Sequence, residues 1–299
     1  MTFQELPNAK KKKSHIWILP LSFEKTVCGK KGTAKAPKAI IDASLDTEYY
    51  EEEYDWSPFK YIRLYTGKNF SRIKNFKKLD LRIKKFLKNH NGQFLLTLGG
   101  EHSITPFVTK HLLPANSTII FFDAHGDFRK TYLGSKNNHA CALYNLAKQG
   151  HKAIAIGLRS FFDDERQRMD ELGIKCFTDF DLQKKSKQKE LFKGIKNLKS
   201  NVYISIDMDC FSPGFVSGVG TPLPGGIEWF FFLKILKSIF ENKNINILGA
   251  DIVELLPEKS KVSQVIAAKI MQKIFSYWGK SKGYDKLEQK GSQMDIDYE

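Results

Sequence analysis

"TIIFFDAHGDFR" (residues 118–129) begins as a buried strand should and then changes character. Thr118 to Phe122 are β-branched or aromatic, the composition of a strand covered on both faces. Asp123, His125 and Asp127 follow at alternate positions. Side chains two apart on an extended chain point to one side, so the three converge if the chain stays extended. An apolar strand gains nothing from three ionisable groups at its end. The stretch therefore asks for a chemical explanation.

Further short apolar runs lie at 15–19, 94–98, 153–156, 202–206 and 245–252, and each reads as a buried parallel strand. Between them, helical spacing of apolar residues marks 70–89, 140–149, 163–172, 187–198, 229–241 and 262–278. Strands alternating with helices predict an α/β fold with a mainly parallel sheet covered on both faces. In such sheets ligands bind beyond the carboxyl ends of the strands. Two more strand ends carry chemistry there: "FLLTLGGEHS" (94–103) delivers His102, and "VYISIDMD" (202–209) delivers Asp207 and Asp209. Four carboxylates and two imidazoles gathered at one rim would repel or take up protons unless cations compensate them. Two divalent ions balance four carboxylates. An oxygen-rich shell with two nitrogens and no thiolate points to manganese ahead of zinc, cobalt or iron.

The 299 residues, 41% apolar with 23 phenylalanines, are enough for one large core. No linker or repeat divides them, so the reading is a single domain over 15–280, a basic tail over 1–14 and a polar tail over 281–299. There is no apolar run of membrane-spanning length, and the first twenty residues lack the order of a signal peptide. Cys28, Cys141, Cys176 and Cys210 form no CxxC pair, which fits a reducing cytoplasm rather than a disulfide framework. The net charge of +15 comes from lysines at 10–13, 67–90 and 182–200. In the second stretch Leu79, Ile83 and Leu87 recur at helical spacing among them, as on a helix with a solvated basic face. No zinc finger or helix-turn-helix punctuation accompanies the charge, so no specific nucleic-acid or membrane partner is expected.

"GGEHS" (99–103), "DAHGD" (123–127) and "SIDMDCFSPGFVSGVGTPLPGG" (205–226) resemble the three signature segments of the ureohydrolases, the arginase/agmatinase family, and "GADIVELLP" (249–257) extends the likeness. The resemblance implies a three-layer α/β/α sandwich around an eight-stranded sheet, and two Mn2+ per subunit. His102, Asp123, Asp127 and Asp209 would bind one or both ions, with His125 and Asp207 completing the shells. It also implies a hydrolase that cleaves a guanidino substrate to urea and an amine, and a homo-oligomer, trimer or hexamer. By the same resemblance Asp127 matches the proton shuttle and Glu254 the guanidinium-binding carboxylate, a natural bidentate pairing. His139 matches a histidine that assists proton transfer near the substrate, although a histidine opening a helix also serves as a plain cap. Thr221 either reaches substrate or shapes its loop.

"FRKTYLGSKNNHACALYNL" (128–146) lacks the polar loop of arginases and is similar to agmatinases of the archaeal type. Agmatine, giving urea and putrescine, is the expected substrate. Lys130 and Thr131 stand where related agmatinases carry acids, which brings in guanidinobutyrate, with arginine behind it, as an alternative. Gly126, Ser212 and Leu256 also depart from the family pattern. A weak member serving as a binding module for acidic partners is the alternative of another class, and a single-metal amide hydrolase the third.

Overall fold

In the computed structural model, which describes residues 1–287, the apolar runs pair side by side into one eight-stranded sheet. The strands are β1 (Ile16–Pro20), β2 (Leu64–Thr66), β3 (Phe94–Leu98), β4 (Thr118–Phe122), β5 (Lys152–Leu158), β6 (Lys175–Thr178), β7 (Asn201–Asp207) and β8 (Asn246–Val253). Their spatial order is β2-β1-β3-β8-β7-β4-β5-β6, and every pairing is parallel. The helices are α1 (Ala36–Ala43), α2 (Phe76–Leu87), α3 (Thr105–Leu112), α4 (Ala142–Lys148), α5 (Asp163–Glu171), α6 (Asp179–Leu182), α7 (Lys185–Lys196), α8 (Trp229–Glu241) and α9 (Val262–Ser281).

Alternation along each strand sends neighbouring side chains to opposite faces, and both faces are covered. Ile120 and Phe122 of β4 share a core with Ile40 of α1, Leu191 of α7, Leu236 of α8 and Ile274 of α9. Ile119 and Phe121 share the other core with Leu79 of α2, Val108 of α3, Leu143 of α4 and Met169 of α5. This is the expected three-layer sandwich. Burying a phenylalanine side chain stabilises by about 1.5–3 kcal/mol. A one-residue slip of β4 would exchange Phe121 and Phe122 between two filled cores, so packing fixes its register.

The chain leaves β3 through α3 and enters β4 three strand positions away; β8 and β7 fill the gap later. The four central carboxyl ends, β3, β8, β7 and β4, therefore lie side by side where the winding changes direction, the place such sheets offer to ligands.

Edge strands β2 and β6 did not stand out in the sequence. Both are short, and β6 opens on an exposed lysine, so neither shows the continuous apolar run of a strand buried on both faces. The helix expected over 70–89 begins only at Phe76, because Asn75 caps it by accepting from Lys78 N at 2.9 Å.

Residues 1–14 differ from the expected tail. Phe3 and Leu6 are buried in the core, and Lys11 Nζ sits 4.2 Å above both the Trp17 and the Phe86 ring. Two apolar residues and a cation over aromatic faces are enough to hold this segment down. Of the polar stretch expected over 281–299, Ser281 still belongs to α9 and Tyr284 stacks on Trp278 at 5.8 Å; its residues 288–299 lie outside the described residues. Among the described residues, no helix is long and apolar enough to cross a membrane.

Candidate metal centre and substrate cavity

After β3 the chain turns at Gly99-Gly100. A Cβ on Gly100 would lie 1.9 Å from the Phe23 carbonyl oxygen, so only glycine lets the segment after β1 cross there, where Glu101 N donates to Phe23 O at 3.0 Å. The crossing seats His102 at the start of a short 3₁₀ turn leading into α3. After β4 the chain does not stay extended through Asp127. Asp127 adopts φ +45°, a left-handed turn that aspartate tolerates better than most residues. The turn brings its carboxylate to within 3.5 Å of His102 Nδ1. After β7, Asp207 accepts from Asp209 N at 2.9 Å and shapes the turn that carries Asp209.

All six residues expected as ligands meet at this rim. His102 Nδ1 lies 3.1 Å from Asp123 Oδ2 and 3.2 Å from Asp207 Oδ2. His125 Nδ1 lies 2.9 Å from Asp209 Oδ2 and 3.7 Å from Asp123 Oδ1. Two ligand groups of suitable size result, His102/Asp123/Asp127 and Asp123/His125/Asp209, and Asp123 belongs to both. His102 Nδ1 and Asp123 Oδ2 are buried without a hydrogen-bond partner. Buried polar atoms rarely go unpaired. A divalent cation between them would satisfy both, and the mixed oxygen and nitrogen donor set suits one.

The electrostatics agree. Burial, then Asp123, pushes the Asp127 carboxyl well above the usual range; burial, then Asp209 and Asp123, does the same to Asp207. Carboxylates that hold protons in a crowded cluster are the ones whose protons a divalent cation displaces.

Above the cluster opens a cavity of about 310 Å³. Glu254, in a left-handed conformation after β8, lines it and accepts from His102 N at 2.6 Å. Burial, then Glu101, pushes its carboxyl up to about 8. His139 lines the cavity too, at the start of the turn into α4. Burial, then the charges of His102 and His125, lowers the His139 ring to about 4, so it is neutral near pH 7. Thr221 also lines the cavity, and its Cγ2 packs against Gly29.

Some of the site did not show in the sequence. Glu101, fully buried, accepts from Lys25 N and Thr26 N at 2.6 Å each and from Thr26 Oγ1 at 2.8 Å. Thr26 Oγ1 in turn accepts from His139 N at 3.0 Å, so Glu101 fixes the loop that sets His139. Arg129, not Lys130, reaches the cavity: its guanidinium carbon lies 4.3 Å over the Tyr132 ring and 4.2 Å over the Phe162 ring, while Lys130 is exposed and outside the lining. The departures have local reasons. Phe161 fills the space a side chain at Gly126 would need. Arg159 holds the turn near Ser212 by donating to the Asp209 carbonyl at 2.8 Å and the Phe211 carbonyl at 3.2 Å. Leu256 packs over Gly32.

A model of the Arginase family matches residues 14–276. The chain is 32% identical to an N(1)-aminopropylagmatine ureohydrolase of Synechocystis, over 89% of this chain and 90% of that one. It is 29% identical to an agmatinase of Pyrococcus horikoshii, over 89% and 93%. The fold is similar to that of agmatine ureohydrolase from Thermoplasma volcanium, with a TM-score of 0.81, 25% identity, and 92% and 94% of the two chains covered. With the rim cluster and the cavity above it, these likenesses place the chain in the arginase family, as an agmatinase-like ureohydrolase.

Proposed function

We propose that the chain hydrolyses the guanidino C–N bond of agmatine, or of agmatine extended by an aminopropyl group, giving urea and the corresponding amine, with two Mn2+ as its metals. The observation that carries this reading is the pair of unpartnered buried atoms, His102 Nδ1 and Asp123 Oδ2, the first lying against Asp127 and Asp207, which line the same cavity as Glu254. His102, Asp123 and Asp127, with Asp207 beside them, would hold one ion, and Asp123, His125 and Asp209 the other. When bound, the ions would lower the pKa of water and stabilise the negative charge on oxygen as it adds to the guanidino carbon.

The side chains do the rest. Glu254, fixed by the His102 amide, pairs with the planar guanidinium and orients it over the cluster. Asp127, which lines the cavity and lies 3.5 Å from His102 Nδ1, takes a proton from the attacking water and returns it to the departing amine. Neutral His139, held between Thr26 Oγ1 at 3.2 Å and Cys28 Sγ at 3.4 Å, passes protons between the cavity and solvent. Thr221 shapes the wall.

One observation favours a second reading, a guanidino acid such as guanidinobutyrate. Arg129 places a cation in the cavity wall, where it attracts a distal carboxylate and repels a distal ammonium. Urea release with Mn2+ is the test, using agmatine, N-aminopropylagmatine, guanidinobutyrate and arginine. The highest kcat/KM is expected for one of the first two. Guanidinobutyrate ahead of both establishes the second reading. No urea from any, with metal bound, ends both.

A further inference from the structure

Beneath the metal centre lies a carboxylate that the proposed chemistry does not touch. Asp251 is fully buried within β8, three residues before Glu254. Three hydroxyls donate to it: Ser205 to Oδ1 at 2.7 Å, Thr105 and Tyr203 to Oδ2 at 2.8 and 3.0 Å. The Ser205 oxygen also lies 2.9 Å from His102 Nε2.

A proton inventory gives this chain a direction. A serine hydroxyl has one proton to give and lone pairs to receive. Ser205 gives its proton to Asp251, so its contact with His102 is made as acceptor, and Nε2 must carry the ring proton. Nδ1 is then bare. It is the atom that faces Asp123, Asp127 and Asp207 and that has no hydrogen-bond partner. The ring is held flat against Phe121, with centroids 4.6 Å apart and planes 7° from parallel. Serine alone would not set this polarity, because it can equally turn and donate to Nε2. An anchored acceptor behind it removes the choice, and Thr105 and Tyr203 anchor that acceptor.

We infer that Asp251 is a positioning residue: acting through Ser205, it keeps the His102 proton on Nε2 and so presents Nδ1 as a lone-pair donor to the cation beside Asp123, Asp127 and Asp207. This rests on the two-metal reading of the site. Partners behind a ligating histidine fix its tautomer and typically contribute 10- to 100-fold in metal affinity.

The test is calorimetric titration of the full chain with Mn2+, with electron paramagnetic resonance to tell a coupled pair from an isolated ion. The wild type takes up two Mn2+ as a coupled pair. Ser205→Ala weakens one of the two sites by about 10- to 100-fold, leaves the other, and shows isolated Mn2+. Ser205→Thr, which keeps the hydroxyl, restores the pair. Asp251→Leu, which frees the Ser205 proton to turn toward the ring, reproduces the Ser205→Ala loss; if it does not fold, Ser205→Ala carries the test. An unchanged metal-free melting temperature separates ligand positioning from general damage in Ser205→Ala. Two Mn2+ bound by Ser205→Ala with wild-type affinity overturn the inference. A wild type that binds no Mn2+ pair removes the proposed function, and this inference with it.

Discussion

Lys273 of α9 and Asp123 after β4 are both buried ionisable groups, and their surroundings differ in one respect. Lys273 Nζ meets Glu51, Glu52 at 3.0 Å and Glu53 at 3.5 Å. Lys269 pairs with Glu52 at 2.9 Å, and Glu53 takes Lys237 at 2.8 Å and the Tyr277 hydroxyl at 2.6 Å. Three acids face three lysines, so the cluster closes on itself. At the rim, Asp123, Asp127, Asp207 and Asp209 face only two imidazoles, and two buried atoms are left over. Both places gather ionisable groups around a buried one. What marks the rim as the candidate metal site is that its charges and hydrogen bonds do not close among the residues themselves.

The largest expected effect breaks the open cluster. Asp123→Asn removes the carboxylate common to both ligand groups. Mn2+ stoichiometry should fall below two and urea release by well over about 100-fold, since even a residue behind a ligand is worth that much. The closed cluster should respond in stability instead. Lys273→Met strands Glu51 without its cation and should cost about 3–5 kcal/mol in urea unfolding, because one partner of a buried pair is left uncompensated. Its Mn2+ stoichiometry should stay at two.

Metal addition sharpens the contrast. Mn2+ at about 100 times its Kd should raise wild-type stability by about 2.7 kcal/mol for each ion bound, reversed by a chelator and diminished in Asp123→Asn. Lys273→Met should gain as much as wild type does.

A smaller effect comes from a half-buried group that neither cluster uses. Burial, then Arg63, lowers the His15 ring to about 4, against an ordinary value near 6.5. Between those values the unfolded chain takes up a proton that the folded chain refuses, so stability falls as pH drops from about 6.5 toward 4. Urea midpoints measured from pH 7 to pH 5 should show the fall, and His15→Gln should make it shallower. Smallest of all is Lys130→Ala. Lys130 is exposed and outside the cavity lining, so the ratio of kcat/KM for agmatine and guanidinobutyrate should stay as in wild type.

The six rim residues were legible because apolar strands rarely end in acids and imidazoles, and three strands of this chain, β3, β4 and β7, do so. The central strands were legible for a related reason: strands covered on both faces must be apolar throughout, as "TIIFF" is. Edge strands β2 and β6 escaped notice because one side of an edge has no neighbour to bury against. Lys130 and Arg129 are adjacent in sequence, and only the turn begun at Asp127 decides which of them faces the cavity. Phe3 and Leu6 look like part of a basic tail until their packing is seen.

From its sequence alone, this protein was bound to be a parallel α/β sheet carrying acids and imidazoles at three strand ends, since side-chain period and burial are local properties of the chain. Tertiary structure decided which groups are closed and which are open. Ser205 meets His102 across 103 residues and Asp251 across 46, and Lys273 reaches Glu51 across 222. Whether a buried charge has its partner depends on distances in space, and no spacing along the chain contains them.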